Sequence, residues 1–201
     1  MNMEKDSYHH GMLKEALIAK GLQLLNKDGY EGFSLRKVAA LCGVSHAAPY
    51  RHFKDKDELV SAITNQVMEN FKLYLEEAVI RYPDDPKAQI VNLGKQYVKF
   101  MVENPEYLKF FIVNHQFGNP VVIENNAIHH QANGVFEVFT QSAANYLNSL
   151  QAKAGDRIVD VLTMWSTVQG IAVLMVYGNL IYSGNYLDLV EKILSEKLKF
   201  E

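Results

Sequence analysis

The sequence has few of the residues that build disulfide frameworks, flexible linkers and metal sites. Its 201 residues include one cysteine, Cys42, together with five prolines and 12 glycines. A single cysteine cannot form an internal disulfide, and it cannot complete a zinc site without other ligands. We therefore expect a protein of the reducing cytoplasm that holds no metal and no cofactor.

The sequence also lacks an excess of positive charge. Its net charge is −3, and the first 60 residues hold nine lysines and arginines against eight aspartates and glutamates. This balance argues against a protein that coats nucleic acid through bulk charge. Charge by itself therefore identifies no partner.

Motifs of the common enzyme classes are missing as well. The sequence contains no glycine-rich phosphate loop, no dinucleotide-binding fingerprint and no His-Glu-x-x-His zinc motif. It also offers no plausible nucleophile triad. We therefore predict that the protein is not an enzyme.

No stretch of the sequence predicts a membrane span. Residues 161–187 carry no charged side chain, but Thr163, Ser166 and Gln169 interrupt their apolar character, and Asp188 follows them. A spanning helix needs about 20 predominantly apolar residues and usually has cationic flanks. A helix buried on several faces is the better interpretation. The polar first ten residues also lack the apolar core of a signal peptide.

Helical periodicity dominates what the chain does contain. Hydrophobic residues make up 48% and charged residues 21%, which is typical of a folded globular protein. Apolar positions recur at three- and four-residue steps, and no stretch alternates with period two. We predict an all-α fold with an irregular link at 118–126 and helices at about residues 10–27, 35–41, 46–52, 56–82, 85–103, 127–153, 156–182 and 187–199, and a short one after Pro105.

Residues 35–53 predict a helix-turn-helix. Ser34 can cap the first short helix, and Gly43 can adopt the positive φ that a tight turn needs. Ala39 is small at the place where the two helices must cross closely. In this arrangement the second helix is the one offered to the major groove of DNA.

The amino-acid sequence of this segment resembles that of the TetR family of bacterial transcriptional regulators. The resemblance implies an N-terminal three-helix DNA-binding domain at residues 1–55 and a C-terminal helical ligand-binding and dimerisation domain at 56–201. The chain also resembles a subgroup named for a Trp–His–Gly signature, although Gln169 stands where the histidine would be. The strings that carry the resemblance are Ser34-Leu35-Arg36-Lys37-Val38-Ala39, Gly43-Val44-Ser45 and Pro49-Tyr50-Arg51-His52-Phe53-Lys54-Asp55-Lys56-Asp57-Glu58-Leu59.

The resemblance implies that the turn before Tyr50 faces the bases. His46 would donate to or accept from a base edge, and the methyl groups of Ala47 and Ala48 would contact thymine methyls. Ser45 would cap the helix that carries them and is itself a candidate DNA-binding residue. The alternative is a solvent-exposed turn without contacts.

The resemblance also implies a set of phosphate contacts, which set register rather than sequence. Tyr50 and His52 offer a hydroxyl and an imidazole N–H, with core packing and an ordinary surface histidine as the alternatives. Lys56 would use its backbone N–H and its side chain at the start of a long helix, helped by the helix dipole. The remaining expected contributors are Ser34, Arg36 and Arg51.

The C-terminal half of the sequence is rich in aromatic residues and methionine. The simple interpretation is a hydrophobic core. Proteins of the TetR family place an inducer pocket among these helices, and such pockets are mostly apolar with few polar anchors. The resemblance therefore implies a partly apolar small-molecule inducer. The candidate ligand-binding residues are Tyr97, Phe100, Met101, Phe111, His115, Phe136, Trp165 and Gln169.

The helix predicted at 156–182 is apolar nearly all round. A monomer would expose part of this surface, which soluble proteins avoid over large areas. Pairing it with a symmetry mate, with the last helix alongside, would bury it in a four-helix interface. We therefore expect a C2 homodimer.

These features together predict a TetR-like DNA-binding transcriptional regulator. It would be a repressor that a small-molecule inducer releases from a double-stranded DNA operator. The alternative is a helical small-molecule-binding protein without DNA-binding activity. A DNA titration over a range of salt separates the two, because only a DNA binder weakens steeply with salt.

Overall fold

A computed structural model confirms the predicted all-α fold class and adds one small β-hairpin. It describes residues 3–113, 121–125, 127–129, 134–150 and 157–196, with side chains from Met12 onward. The helices are α1 (Met3–Gly32), α2 (Leu35–Leu41), α3 (Lys56–Ile80), α4 (Pro86–Glu103), α5 (Pro105–Val113), α6 (Val135–Ser149), α7 (Arg157–Val176) and α8 (Tyr186–Glu196), with a 3-10 turn at Pro49–Arg51. The strands are β1 (Val122–Glu124) and β2 (Ala127–His129).

The first helix is longer than predicted. It begins at Met3 rather than near His10, and it continues to Gly32 past a kink at Gly29. Gly29 has a φ of 67°, a left-handed conformation that glycine adopts without steric cost. The Asp28-Gly29 pair therefore interrupts the helical backbone where the sequence predicts that the helix ends.

The helix predicted at residues 46–52 is shorter in the structure. Only Pro49–Arg51 are helical, as a single 3-10 turn. Proline has no N–H for an α-helical hydrogen bond. The N–H groups of His52 and Phe53 both donate to the Pro49 carbonyl at 2.9 Å, which closes the segment after one turn.

The predicted start of the helix at residue 127 is wrong. Strand β2 begins there and pairs antiparallel with β1, with Ile123 opposite Ile128. Asn125 joins the strands with a φ of 51°, a conformation that asparagine tolerates better than most residues. The helix itself, α6, begins only at Val135, after Gly134 in the left-handed region. Each strand has three residues, which is too short for an alternating pattern to stand out in the sequence.

The chain divides into two compact units. The first takes in the described residues of Met1–Val67 and Lys109–Gly118, and the second those of Met68–Leu108 and Asn119–Glu201. The boundary expected between residues 55 and 56 stays a prediction. Within the first unit, α1, α2 and the start of α3 share a core whose fully buried members include Leu17, Leu25, Val38, Leu59 and Ile63.

Helix α4 is central to the second unit, where it packs against α6, α7 and α8. Gly94 permits the close approach of these helices, because a Cβ at this position would lie 2.6 Å from Leu194 and 3.2 Å from Val168. One cluster joins α6 to α7 through Ala143, Tyr146, Leu147, Val161 and Met164. A second joins α4, α7 and α8 through Val98, Val168, Val190 and Leu194.

Candidate functional site

A side-chain cap and a glycine turn shape the helix-turn-helix segment. The Ser34 hydroxyl oxygen accepts a hydrogen bond from the Lys37 N–H at 3.3 Å, which satisfies one donor at the start of α2. Gly43 has a φ of 68°, and the Val44 N–H donates to the Ala39 carbonyl at 3.1 Å. The predicted cap and turn are confirmed.

The segment after this turn buries two anchors and exposes most of its polar side chains. Pro49 and Phe53 are buried. Tyr50 is 56% exposed, so its ring lies outside the core. Among the predicted DNA-binding residues, the exposed ones are Arg36, Ser45, His46, Ala47, Tyr50 and Arg51, and the half-buried ones are Ser34, Ala48, His52 and Lys56.

Two acidic side chains cap the start of α3. Asp55 Oδ1 accepts from the Glu58 N–H at 2.9 Å, and the Glu58 carboxylate accepts in turn from the Lys54 N–H. This arrangement follows the logic of a capping box. The two carboxylates therefore act on the backbone rather than standing free beside Lys56.

Lys56 also contacts a residue that the sequence did not single out. Its Nζ lies 3.6 Å from the centre of the Tyr30 ring, which belongs to the last turns of α1. The Tyr30 hydroxyl donates to the Asp57 carboxylate, and this hydrogen bond is the main cause of the raised pKa of Tyr30. Tyr30 lies on another element, so no helical spacing links it to Lys56 in the sequence.

Three of the predicted ligand-binding residues meet in the second unit. The Tyr97 hydroxyl of α4 donates to Gln169 Oε1 of α7. A side-chain hydrogen bond with Trp165, one turn earlier on α7, also reaches this hydroxyl. Burial raises the pKa of Tyr97 far above its usual value, and the Trp165 bond opposes that rise in part. Among the described residues no charged side chain is a cause of this shift.

Aromatic rings surround this polar group. Phe71 of α3 meets Tyr97 edge-on with ring centres 5.4 Å apart, and it stacks on Phe100 at 4.9 Å. Phe136 of α6 meets the edge of Trp165 at 5.1 Å. Four helices thus bring rings to a site with few polar atoms, which is the composition of a small-molecule site and equally that of an aromatic core.

The other predicted ligand-binding residues do not all join this group. Met101 is fully buried in α4. Phe111 belongs to the first unit, where its ring meets that of Phe110 at 5.9 Å. His115 lies outside the described residues.

Several members of the aromatic group are not among the predicted ligand-binding residues. Phe71, Tyr74 and Tyr107 all contact a ring of the group, and the Asn70 side-chain amide donates to the Tyr107 hydroxyl at 3.0 Å. The available signal was the apolar stripe of α3, in which Phe71 follows Val67 by four residues. That stripe indicates burial but not which rings share a site.

Helix α7 buries one face and leaves another open. Val161, Met164, Val168 and Ala172 are buried at helical spacing. On the opposite side Val159 is 54% exposed and Leu174 is 44% exposed. By length and composition alone α7 could cross a membrane, a test that core helices of soluble proteins also pass.

Metal and thiol chemistry find no support in the described part of the chain. No group of three or more histidine, cysteine, aspartate or glutamate side chains there could hold a metal ion. Cys42 is half-buried, with its Sγ 3.6 Å from the Ala16 carbonyl oxygen. Burial raises the pKa of its thiol, which disfavours the reactive thiolate.

Comparison with known families matches both units. Residues 17–63 match the family model described as bacterial regulatory proteins, tetR family. Residues 90–196 match a second model, described as the tetracyclin repressor-like C-terminal domain. The second match alone covers more than half of the chain.

Individual relatives match either a short segment or most of the chain. Tetracycline repressor protein class C of Escherichia coli is 40% identical over 55 residues, which cover 27% of this chain and 25% of that protein. The chain thus spans about a quarter of that relative's length. Nucleoid occlusion factor SlmA of Citrobacter koseri is 24% identical over 157 residues, covering 76% of this chain and 74% of that protein.

Solved structures share the fold across nearly the whole chain. A protein of unknown function from Rhodococcus sp. RHA1 is 29% identical with a TM-score of 0.66, and the match covers 95% of both chains. A TetR family transcription regulator from Marinobacter aquaeolei VT8 is 16% identical with a TM-score of 0.67, covering 98% of this chain and 97% of that one.

Proposed function

The chain belongs to the TetR family of bacterial regulatory proteins, and from this premise we propose that it is a cytoplasmic DNA-binding repressor that a small-molecule inducer releases from its operator. The observation that carries the proposal is the segment from Ser45 to Arg51, whose side chains are exposed except at Ala48 and Pro49. The Tyr50 ring and the side chains of His46 and Arg51 lie outside the core. Pro49 and Phe53 anchor the segment in that core.

We assign base contacts to the turn of this segment and phosphate contacts to its flanks. His46 has an imidazole that can bond a base edge, and Ala47 offers a methyl group to thymine. The Tyr50 hydroxyl is exposed and can donate to a phosphate. Lys56 adds a cation and a backbone N–H at the first turn of a long helix, where the dipole favours an anion.

Binding of a roughly palindromic operator requires two copies of this segment. Successive major grooves are about 34–36 Å apart, so a C2 dimer must hold its two segments at that spacing. We place the dimer interface on the open face of α7 with α8 alongside, because Val159 and Leu174 leave apolar surface there. The interface would also remove that surface from water.

We assign the inducer site to the group formed by Tyr97, Trp165 and Gln169. These side chains supply hydrogen bonds within a surround of aromatic rings. A ligand that binds the DNA-free form better shifts the equilibrium only by its difference in affinity for the two forms, typically about 1–3 kcal/mol. The ligand would act by changing the separation of the two DNA-binding segments.

The experiment that tests DNA binding is a selection of bound duplexes from a random pool, followed by titration of the selected sequence over a range of salt. A dimeric regulator should select a sequence with twofold symmetry, and its affinity should fall steeply as salt rises. A helical ligand carrier without DNA-binding activity would enrich no sequence. That outcome would overturn the proposal.

Two substitutions assign roles within the segment. Tyr50→Phe should weaken binding to all sequences alike, by about tenfold or more, because it removes a hydrogen bond to a charged phosphate. His46→Ala should instead change which sequences are selected. Tyr82→Phe, at another exposed tyrosine, is the matched control and should leave affinity unchanged.

A further inference from the structure

The first turn of α3 places three carboxylates next to the lysine that the proposed function assigns to a phosphate. Asp55, Asp57 and Glu58 flank Lys56 in sequence. Any of them could draw the ammonium group into an ion pair and away from DNA. None of the ion pairs found among the described residues involves Lys56.

Each of these carboxylates has another partner. Asp55 accepts from the Glu58 N–H, and Glu58 accepts from the Lys54 N–H. Asp57 accepts from the Tyr30 hydroxyl. The Lys56 ammonium instead lies against the face of the Tyr30 ring, 3.6 Å from its centre.

We propose that Tyr30 is a positioning residue for Lys56 in DNA binding. Its ring holds the ammonium by a cation–π contact that leaves N–H groups on the far side for a phosphate oxygen. Its hydroxyl engages Asp57, which fixes the ring and occupies the nearest competing carboxylate. One side chain from the end of α1 thus organises the first turn of α3. This inference rests on the proposed function, because it needs Lys56 to contact DNA.

The size of the effect follows from the strength of an exposed cation–π contact. Loss of the contact corresponds to about a two- to fivefold loss of affinity for each protomer. In a dimer both protomers lose it, so the operator complex should weaken by about four- to 25-fold. The change should come from freedom gained by Lys56 and not from loss of the fold.

The test is a double-mutant cycle between Tyr30 and Lys56, with affinity for the selected operator measured over a salt series. Lys56→Gln should weaken binding and lower the slope of log affinity against log salt by about 0.9 per phosphate contact. Tyr30→Leu should weaken binding in the wild-type background but not in the Lys56→Gln background. Tyr30→Phe keeps the ring but releases Asp57, so it should lower affinity by less than Tyr30→Leu does.

Three results would overturn the inference. Tyr30→Leu could weaken binding equally in both backgrounds, which would make its role purely structural. Tyr30→Leu could leave affinity unchanged while Lys56→Gln lowers it. Lys56→Gln could itself have no effect, in which case DNA binding stands and the positioning role fails.

The design also separates this inference from the proposed function. If the wild-type protein enriches no DNA sequence, the proposed function fails and takes the inference with it. If Tyr30→Leu does not fold, as judged by its thermal unfolding, Tyr30→Phe tests the same group of contacts. Loss of the hydroxyl releases Asp57 to pair with the Lys56 ammonium, so Tyr30→Phe should lower affinity only when Lys56 is present. Equal effects in both backgrounds would again overturn the inference.

Discussion

The Tyr97 hydroxyl links α4 to α7 in the second unit. Its hydrogen-bond partners are two neutral side chains of α7. It donates to Gln169 and shares a hydrogen bond with Trp165 inside an aromatic surround. A buried polar group destabilises the fold little when it is hydrogen-bonded. Removing it leaves its partners without a hydrogen bond, and their uncompensated desolvation then destabilises the fold. The free energy of unfolding should therefore fall when this hydroxyl is removed.

Tyr97→Phe should lower the free energy of unfolding by about 1–3 kcal/mol, because Gln169 and Trp165 lose a partner. The double variant Tyr97→Phe/Gln169→Leu should recover part of that loss, since it removes a donor and an acceptor together. Urea denaturation of the single and double variants measures both values. A double variant less stable than the sum of the two single losses would contradict the pairing.

The raised pKa of Tyr97 also predicts how stability depends on pH. Below about pH 10 the phenol is neutral in both states, so it contributes no slope. Above that pH the unfolded chain releases the proton while the folded chain retains it, and stability falls as pH rises. Tyr97→Phe should flatten this fall between about pH 10 and pH 11, measured by urea denaturation. The matched control is Tyr82→Phe, which removes a hydroxyl from an exposed ring.

At the scale of elements, the turn between α2 and the 3-10 helix depends on one backbone conformation. Gly43 has a φ of 68°, and a Cβ built there meets no atom within 4 Å. The cost of a side chain at this position is therefore conformational and not steric crowding by neighbours. This turn decides where Ser45 to Arg51 lie, so it links stability to the proposed DNA contacts.

Gly43→Ala should destabilise the protein by roughly 1–2 kcal/mol, because alanine resists the left-handed region. Gly43→Asn is the matched comparison and should cost less, since asparagine adopts that region more readily. Thermal unfolding of the two variants measures which of them loses more stability. Equal losses in both would show that the turn does not retain its conformation in solution.

Elements with a local signal were predictable from the sequence, and those without one were not. The bounds of α2 match because Ser34 and Gly43 mark its ends. The 3-10 turn was predicted as a longer helix, since Pro49 can stand in the first turn of either helix type. The hairpin at Val122–His129 was missed because pairing of three-residue strands depends on the partner strand and leaves no periodic pattern.

At the scale of the whole molecule, the two candidate sites differed in how far the sequence could predict them. The DNA-binding candidates lie in one continuous segment, so a motif was enough to locate them. The inducer candidates come from separate helices, and Tyr97 and Gln169 are 72 positions apart. They were predicted as the few polar anchors that a mostly apolar pocket needs. Phe71 was not, because a phenylalanine in an apolar stripe looks like any core residue.

The exposed apolar side chains of α7 bear on whether the protein forms a dimer. Leu174 is 44% exposed on a helix whose opposite side packs against α4 and α6. Leu174→Glu would place a charge in the proposed apolar interface, where burial of an unpaired carboxylate is costly. Sedimentation should therefore show a shift from dimer towards monomer. Leu73→Glu, at a leucine of similar exposure on α3, should leave the assembly unchanged.

The same variant connects assembly to operator binding. A monomer occupies one half-site at a time and loses the gain in effective concentration that linkage gives the second contact. Leu174→Glu should thus lower operator affinity by about 100-fold or more, and the slope of log affinity against log salt should fall towards half. Excess protein should restore binding, because mass action favours the dimer. A fully monomeric variant with wild-type affinity and slope would mean that α7 does not couple two DNA-binding segments.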